Sequence, residues 1–505
     1  MQTMFIAAEL LARIVPVIAV TLSLIVQVEN RKLLALLIGQ YAAWLFACVG
    51  LGLYFLPHNN ESPQIFYGAL RFDFASVVMA VSITTIAAMV LTFAERNFLG
   101  NTYRVPLIRN LAILAALAAF IVPANTMLLF WLCWFGISIL LRAIIAQKKE
   151  FRSSAQHVFN VHCFSDICLL VAFSLLAWHT GQFSFYVHPA QNAGGISVLP
   201  SHLATLIALL IVVAMVSKSA LFPFDSWLVA TIDAPTPPSA LLHAGVVNVS
   251  AILAIRCYAD IVVSPFAHDL WVIWAAVAAV AGTLQSSVRS DIKNDLVAST
   301  SGQMAWMQLQ LSQGNFAAAI LHLIAHGFYK ALLFLTAHSS IDMGVQKEMY
   351  GHEDETHLRW SRLVLPAVLI ITVGFWLIRA GSVHSEALLA VLIAASGQAA
   401  VIPSFNRIGR GYLFLAALTF GVVVMASGFA GEFFSSHLVS GVGKTNSFQT
   451  AAIIACVVLA LGLNLVKKTV VGKALYMAAI NGFYVGEFAL LLRLGVRKLL
   501  LNEGN

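Results

Sequence analysis

Apolar runs of about 20 residues follow one another along almost the whole chain, and a helix of that length spans the hydrocarbon core of a bilayer. Divided at polar residues, they place spans near 9–28, 33–56, 74–94, 106–123, 126–146, 157–178, 201–222, 237–258, 269–288, 292–312, 316–340, 362–379, 385–403, 411–430 and 449–466. Because lipid offers backbone amides no hydrogen-bond partner, each run is expected to be helical. The sequence predicts an all-α polytopic membrane protein with about 14 to 16 transmembrane helices.

The composition supports a single membrane domain. Of the 505 residues, 60% are hydrophobic and 10% are charged, and no stretch has the polar content of a separate soluble domain. The formal charge of +7 is not gathered in a basic arm or patch, so nucleic-acid binding is not indicated. Segment 10–28 is too long for a signal-peptide core and is expected to be retained as the first span.

Lysine and arginine residues alternate between connecting loops. They fall on alternate connections, in the segments 31–32, 96–109, 148–152, 289, 347–362, 407–410 and 467–473. The loops between these segments are nearly free of them. By the positive-inside rule, the amino terminus is expected outside and the carboxyl terminus in the cytoplasm.

The cysteines form no metal or disulfide pattern. They are scattered through apolar segments without a CxxC pair, and we interpret them as core residues: Cys48, Cys133, Cys163, Cys168, Cys257 and Cys456.

A stripe of titratable residues lies within the apolar segment 319–338, "AILHLIAHGFYKALLFLTAH". His322, His326 and Lys330 recur at every fourth position, so a helix places them on one face. Histidine exchanges protons near neutral pH, and a desolvated lysine can hold the next proton. A zinc site is the rival interpretation, but no carboxylate or cysteine lies nearby to complete the ligand set.

Lys218 and His243 are candidates of the same kind. Lys218 ends a strongly apolar run and is followed by "FPF", where proline is expected to interrupt the helix beside a hydrated cavity. The alternative is a lysine that extends to the membrane surface. His243 lies about two turns into the following span, as either a relay group or a satisfied core histidine.

Lys293 stands at the start of the span 292–312. Alone it is typical of a positive-inside anchor with Asp291 and Asp295 as counter-charges. Polar residues continue from it into the span at Ser299, Thr300, Ser301 and Gln303. A hydrated route into the membrane is therefore an open alternative.

The segments "SKSALFPFDSWLVATIDAPTPPSALLHAGVV", "DIKNDLVASTSGQMAWM" and "HLIAHGFYKALLFLTAHSSI" resemble the antiporter-type proton-translocating subunits of respiratory complex I (NuoL-like) and the Mrp antiporters. The resemblance implies two inverted five-helix repeats with interrupted helices and a line of polar residues at the membrane midplane. It divides the chain into amino-terminal helices (1–105), a first repeat (106–258), a second, degenerate repeat (269–403) and carboxyl-terminal helices with an amphipathic tail (404–505). It also implies a proton pathway through Lys218, His243, Lys293, His322, His326 and Lys330, with Asp166 at an acidic position of the sixth span.

The chain departs from that family in two places. The fifth span normally carries a glutamate that pairs with the channel lysine, but here Phe135 or an immediate neighbour stands there. The role of counter-ion would pass to Asp166 or to an acid on a partner. The second departure is a missing lysine in the second interrupted helix, where the chain offers Arg379, His384 and Glu386.

These departures make the chain most similar to the DabB family, the membrane subunits of inorganic-carbon uptake complexes. That resemblance implies a multi-pass protein of the bacterial inner membrane, paired with a large, mainly cytoplasmic DabA-like subunit that binds zinc and hydrates CO2 to bicarbonate. This chain would conduct the driving cation, carry no cofactor and not itself be an enzyme.

Three alternatives stay open at this point. The chain could be a proton-pumping subunit of a respiratory NADH-quinone oxidoreductase, an Mrp-type Na⁺/H⁺ antiporter subunit, or a scaffold whose channel has decayed. The tail after residue 473 is expected to be an interfacial or partner-facing helix, or else a further span.

Overall fold

The structure is a computed structural model, and it describes residues 2–26, 28–56, 63–147, 149–185, 199–232, 236–289, 291–349 and 476–484. The spans expected near 362–379, 385–403, 411–430 and 449–466 lie outside these residues, as do Arg379, His384, Glu386 and Cys456.

Long helices dominate the described residues. The first seven are α1 (Gln2–Ile25), α2 (Glu29–Tyr54), α3 (Phe74–Asn97), α4 (Arg104–Ile121), α5 (Met127–Ile145), α6 (Arg152–Thr180) and α7 (Ser201–Lys218). They are followed by α8 (Ser226–Val229), α9 (Thr236–Leu241), α10 (Val249–Val262), α11 (Pro265–Val288), α12 (Ile292–Ser312) and α13 (Phe316–Met349). A π-helical segment, Leu242–Val246, joins α9 to α10, and short 3-10 helices occupy Lys149–Phe151 and Gly482–Tyr484. The predicted polytopic helical architecture is confirmed.

Ten described helical segments are long and apolar enough to cross a membrane. Helix α12 is outside this group although it has 21 residues, because polar residues are distributed along its length. One exception to the all-helical prediction is a short antiparallel pairing of β1 (Gln64–Ile65) with β2 (Leu70–Arg71).

Local side-chain caps set several helix boundaries. The Asp73 side chain accepts a hydrogen bond from the Ser76 amide at the start of α3, and Asp291 accepts one from the Asn294 amide at the start of α12. Each satisfies an amide that has no partner within its own helix. Helix α6 ends at Gly181, whose φ of 68° suits glycine.

Three connections meet at one end of the helices. The connection after α2 contributes Leu70, which pairs with Ala124 after α4, and Thr126 pairs with Ser184 after α6. Alternate connections therefore share an end, as expected for successive spans that cross in opposite directions. Which end faces the cytoplasm stays a prediction.

An ion pair ties α10 to α3 at this end. Arg256 donates to Asp73 Oδ2 at 2.6 Å and to the Val122 carbonyl at 3.0 Å. Burial alone would raise the pKa of Asp73, but Arg256 and Arg71 outweigh it and hold that pKa below its usual value. Asp73 is therefore a charged cap at neutral pH.

Glycines allow two close helix contacts around the centre. A Cβ atom on Gly282 of α11 would lie 2.5 Å from the Gly302 Cα of α12, so neither helix could hold a larger residue there without moving. A Cβ on Gly327 of α13 would lie 3.0 Å from the Ala244 carbonyl. Helix α13 thus packs directly on the π-helical segment.

The described part of the tail packs on the same chain. The Phe483 ring lies 5.4 Å from that of Phe222, in the "FPF" segment after α7. Residues 476–484 therefore contact the segment after α7, and the expectation of an interfacial or partner-facing helix, or else a further span, stays a prediction. The rest of the tail lies outside the described residues.

Candidate functional site

Lys218 is fully buried at the carboxyl end of α7. Its Nζ donates to Asp166 Oδ1 at 2.8 Å, to Ser138 Oγ at 2.7 Å and to the Trp134 carbonyl at 2.7 Å. An ammonium has three hydrogens, so all of its donors are satisfied. The alternative of a lysine extending to the membrane surface is excluded for this structure.

Asp166 of α6 is the ion-pair partner of Lys218. Of the two alternatives raised by the sequence, an acid on the same chain is the one observed. The residues of α5 that meet Lys218 are Trp134 and Ser138, whereas Phe135 turns away and stacks on Trp131 with ring centroids 5.2 Å apart. On α5, Lys218 is therefore contacted by Trp134, one residue before Phe135, and by Ser138, one turn after Trp134.

Helix α7 ends at Lys218, as the proline predicted, whereas the hydrated cavity expected beside the break stays a prediction. Helical structure resumes in α8, and Trp227 of α8 donates to the Ser217 carbonyl at 2.9 Å. Ser219 lies against Ser250 of α10, and Gln308 of α12 donates to both hydroxyls at 3.3 Å. This serine–glutamine group extends the polar region beyond Lys218.

His243 is fully buried in the π-helical segment. Its Nδ1 is 3.1 Å from Thr300 Oγ1 of α12, and its ring stacks on Phe334 of α13 with centroids 4.4 Å apart. Its Nε2 has no hydrogen-bond partner among the described residues. One ring nitrogen is thus held while the other is available for proton exchange.

The stripe on α13 lies along one face, as predicted. His322 Nδ1 is 3.2 Å from Gln310 Oε1 of α12, and the His322 and His326 ring centroids are 6.4 Å apart. Within the described part of the chain, neither ring nitrogen of buried His326 has a partner. Buried Lys330 donates to Ser299 Oγ at 2.6 Å and to the Leu296 carbonyl at 3.0 Å.

Lys293 lies on α12 about two turns before Ser299 and Thr300. It is partly buried at the start of α12 and donates to the Ile232 carbonyl, in the segment that follows α8. This contact is compatible both with an anchor and with one end of a route.

Helix α12 connects the separate groups. Ser299 binds Lys330, Thr300 binds His243, and Ser301 donates to the Ala220 carbonyl at 2.6 Å beside the α7 break. Further along, Gln308 and Gln310 reach the serines and His322. Helix α12 therefore presents hydroxyl groups at 299–301 and amide groups at Gln308 and Gln310. Their participation in a hydrated route for protons stays a prediction.

Three buried titratable or charged residues were missed by the sequence reasoning: Glu9, Arg13 and His162. Glu9 and Arg13 of α1 are both fully buried and joined at 2.6 Å. The signal was available, because an acid and a base four residues apart in an apolar run share one helix face. His162, one turn before Asp166 on α6, is also fully buried and contacts Trp227 with ring centroids 4.3 Å apart.

The described cysteines are free thiols. Cys133, Cys168 and Cys257 are buried, and Cys48 and Cys163 are half-buried. In the part of the chain that the structure describes, no three His, Cys, Asp or Glu side chains are grouped to hold a metal ion.

Comparison with known proteins identifies the family of the chain. Residues 124–380, slightly more than half of the chain, match the family described as NADH:quinone oxidoreductase/Mrp antiporter, TM. The chain is 31% identical over 371 residues to the probable inorganic carbon transporter subunit DabB of Bacillus subtilis (strain 168), which covers 71% of each protein. The predicted resemblance to the antiporter-type family, with DabB among its relatives, is confirmed.

Solved structures share the fold at lower identity. A chain of the Mrp complex from Dietzia sp. DQ12-45-1b matches with a TM-score of 0.58 and 20% identity, over 98% of this chain and 60% of that one. A chain of the membrane-bound sulfane sulfur reductase, an archaeal respiratory membrane complex, matches with a TM-score of 0.60 and 16% identity over 95% of each chain. The chain therefore belongs to the NADH:quinone oxidoreductase/Mrp antiporter family, as a multi-pass membrane subunit of the transport and energy-coupling type.

Proposed function

We propose that this chain is the proton-conducting membrane subunit of an inorganic-carbon uptake complex. In this proposal, protons pass through Lys218, Asp166, His243, His326 and Lys330, with His322 and Lys293 at the ends of the route. Cation influx drives the hydration of CO2 to bicarbonate by a DabA-like cytoplasmic partner that holds the zinc. The similarity to DabB supports the choice of substrate.

One observation carries the proposal: a fully buried lysine at a helix break is paired with an acid on a neighbouring helix. Burying both charges is costly, and such groups in membrane helices commonly mark ion pathways. A lysine can release its proton in a low-dielectric site, whereas a purely structural pair gains nothing from that property. The unpartnered nitrogens of His243 and His326 provide the next acceptors.

The driving force is sufficient for such coupling. One elementary charge that crosses 100 mV of membrane potential releases about 2.3 kcal/mol. With the amino terminus outside and the carboxyl terminus in the cytoplasm, protons would move toward the side where the partner is expected. The proposed location is the bacterial inner membrane.

Carbon uptake by a Lys218→Ala variant tests the proton route. We expect uptake to be abolished while the complex still assembles, because the variant removes the central proton carrier. Lys32→Ala, a half-exposed lysine of α2, is the control and should retain uptake. Normal uptake with Lys218→Ala would contradict the proposal.

Purification of the chain in mild detergent tests the proposed partner. We expect one large cytoplasmic subunit to elute with it and to contain zinc. Co-purification of quinone-oxidoreductase subunits or of several antiporter subunits would leave the proton route in place and overturn the carbon-uptake assignment.

The second candidate is a proton-pumping subunit of a respiratory quinone oxidoreductase or of an Mrp-type Na⁺/H⁺ antiporter. The matched family includes both, which favours this candidate over unrelated transporters. The first would give NADH-dependent proton pumping that disappears when the chain is deleted, and the second would give sodium-dependent exchange in vesicles.

A further inference from the structure

Helix α6 carries a buried histidine that the proposed route leaves unused. His162 lies one turn before Asp166, so both side chains project from the same face of α6. The His162 ring packs in a T-shaped arrangement with the Trp227 ring. Trp227 Nε1 donates a hydrogen bond to the carbonyl of Ser217, the residue before Lys218. His162 is therefore placed beside the Lys218–Asp166 pair rather than in an unrelated part of the core.

Several polar atoms around this pair are left without a partner. Among the described residues, neither ring nitrogen of His162, nor Asp166 Oδ2, nor Trp134 Nε1 has a hydrogen bond. Buried polar atoms are nearly always satisfied by protein groups or by ordered water, and an orphaned one costs about 1 to 3 kcal/mol. Four such atoms around one ion pair provide the polar partners that a bound water requires.

A second histidine leads from this place toward the end of α6. His157 is half-buried, and its Nε2 is 3.1 Å from Ser226 Oγ. Ser226 and Trp227 are consecutive residues of α8, so α8 contacts both histidines at once. Beyond His157, the exposed residues Arg152, Ser153 and Gln156 mark the helix end.

We propose that His157, His162 and Asp166 form a second proton branch, which connects the amino-terminal end of α6 to Lys218 through bound water. The imidazole of His162 takes up a proton at one ring nitrogen and releases the proton of the other, which leaves the neutral ring in its other tautomer. Rotation of the ring or a proton shift through bound water restores the first tautomer before the next transfer. In the direction of influx, Asp166 accepts at Oδ1 the proton that Lys218 releases, and after rotation of the carboxyl group it passes a proton through bound water to His162, while Lys218 regains a proton from the central route. The branch rests on the proposed proton conduction through Lys218 and adds a residue and a direction to it.

Proton flux in proteoliposomes that contain the purified complex tests this branch. His162→Gln keeps hydrogen-bonding atoms but cannot titrate, and we expect its flux per assembled complex to fall about tenfold or more. His179→Gln, the same change at an exposed position of α6, should leave flux unchanged. Lys218→Ala serves as the reference for a blocked central route.

Chemical rescue separates proton transfer from packing. His162→Gly opens a space of imidazole size, and added imidazole should restore flux, whereas pyrazole, which has the same shape and is a far weaker base, should not. Restoration by both compounds or by neither overturns the branch.

Failure of the branch can be told from failure of the proposed function. If Lys218→Ala blocks flux and His162→Gln does not, the branch is wrong and the central route stands. If Lys218→Ala conducts as well as the unmodified complex, the proposed function fails and the branch fails with it.

Discussion

Two fully buried ion pairs lie among the described residues, and they differ in the cation and in how far apart the partners stand in the chain. Lys218 and Asp166 join α7 to α6, whereas Arg13 and Glu9 are four residues apart on α1. Lysine can lose its proton in a low-dielectric site, but a guanidinium stays protonated. The protein therefore buries a charged pair both where the cation can exchange a proton, at Lys218, and where it cannot, at Arg13.

The surroundings of the two pairs follow this difference. Arg13 donates to the Ala119 carbonyl at 3.2 Å and lies 4.9 Å from the Phe72 ring centre, so it fixes α1 to neighbouring segments. Lys218 is surrounded by a hydroxyl, a helix break and a titratable histidine. Burial of a charge in a membrane thus does not by itself indicate transport. The proposed function rests instead on a lysine that can release its proton and on acceptors near it.

The largest expected effect comes from making Lys218 resemble Arg13. Lys218→Arg keeps the charge beside Asp166 but removes the ability to release a proton, so we expect proton flux to fall by about a hundredfold or more. Flux assays on the assembled complex, with Lys32→Arg as control, provide the measurement. Flux close to that of the unmodified complex would show that residue 218 need not release a proton, so that the Lys218–Asp166 pair would be structural like the Arg13–Glu9 pair.

The converse change at the α1 pair should affect stability instead. Arg13→Met leaves Glu9 buried without its cation, which should lower the free energy of unfolding by about 3 to 5 kcal/mol. Denaturant unfolding in detergent gives the value, and flux per assembled complex should stay the same. Adding Glu9→Gln should recover most of the loss, because no uncompensated charge remains. A loss of flux like that of Lys218→Arg would place Arg13 in the route.

A smaller effect is expected at the glycine that accommodates Glu9. A Cβ atom on Gly50 of α2 would lie 2.1 Å from Glu9 Oε1, so Gly50→Ala should lower the free energy of unfolding by about 1 to 3 kcal/mol. Gly52→Ala is the matched control, since a Cβ there meets nothing within 4 Å. Equal unfolding curves for both variants would mean that the α1 pair is not tightly enclosed.

The smallest effect concerns one acceptor of Lys218. Ser138→Ala removes the hydroxyl 2.7 Å from Nζ and leaves Asp166 in place, so proton flux should change by a factor of about 3 to 10. Ser82→Ala, a buried serine whose hydroxyl bonds the Val78 carbonyl of its own helix, is the control. An unchanged rate would leave Asp166 as the partner that matters.

Most helix positions were predictable from the runs between polar residues and from the prolines. The span expected at 292–312 coincides with α12, and the proline after Lys218 correctly indicated a break. The sequence also offered Asp166 as one of two possible counter-ions. It could not choose between them, since that choice depends on how α5, α6 and α7 pack.

The missed residues show the limit of reading one segment at a time. Arg13 stands in an apolar run, and only its partner four residues earlier and the close Gly50 indicate that it is enclosed rather than extended to the surface. The position of His162 near Lys218 is shown by its contact with Trp227, which lies far along the chain in α8. The contact with Trp227 leaves no pattern in local sequence, whereas the four-residue spacing of Glu9 and Arg13 was visible there. The π-helical backbone around His243 was likewise not predictable from spacing.

The polar character of α12 has a consequence for how the protein is made. A segment with so many hydroxyl and amide groups would partition poorly into lipid by itself during synthesis. The close Gly282–Gly302 contact joins it to α11, and its polar side chains find partners on α10 and α13. We therefore expect α12 to enter the bilayer as the companion of its neighbours, so that the segment that lines the route is also the one whose biogenesis depends most on correct assembly.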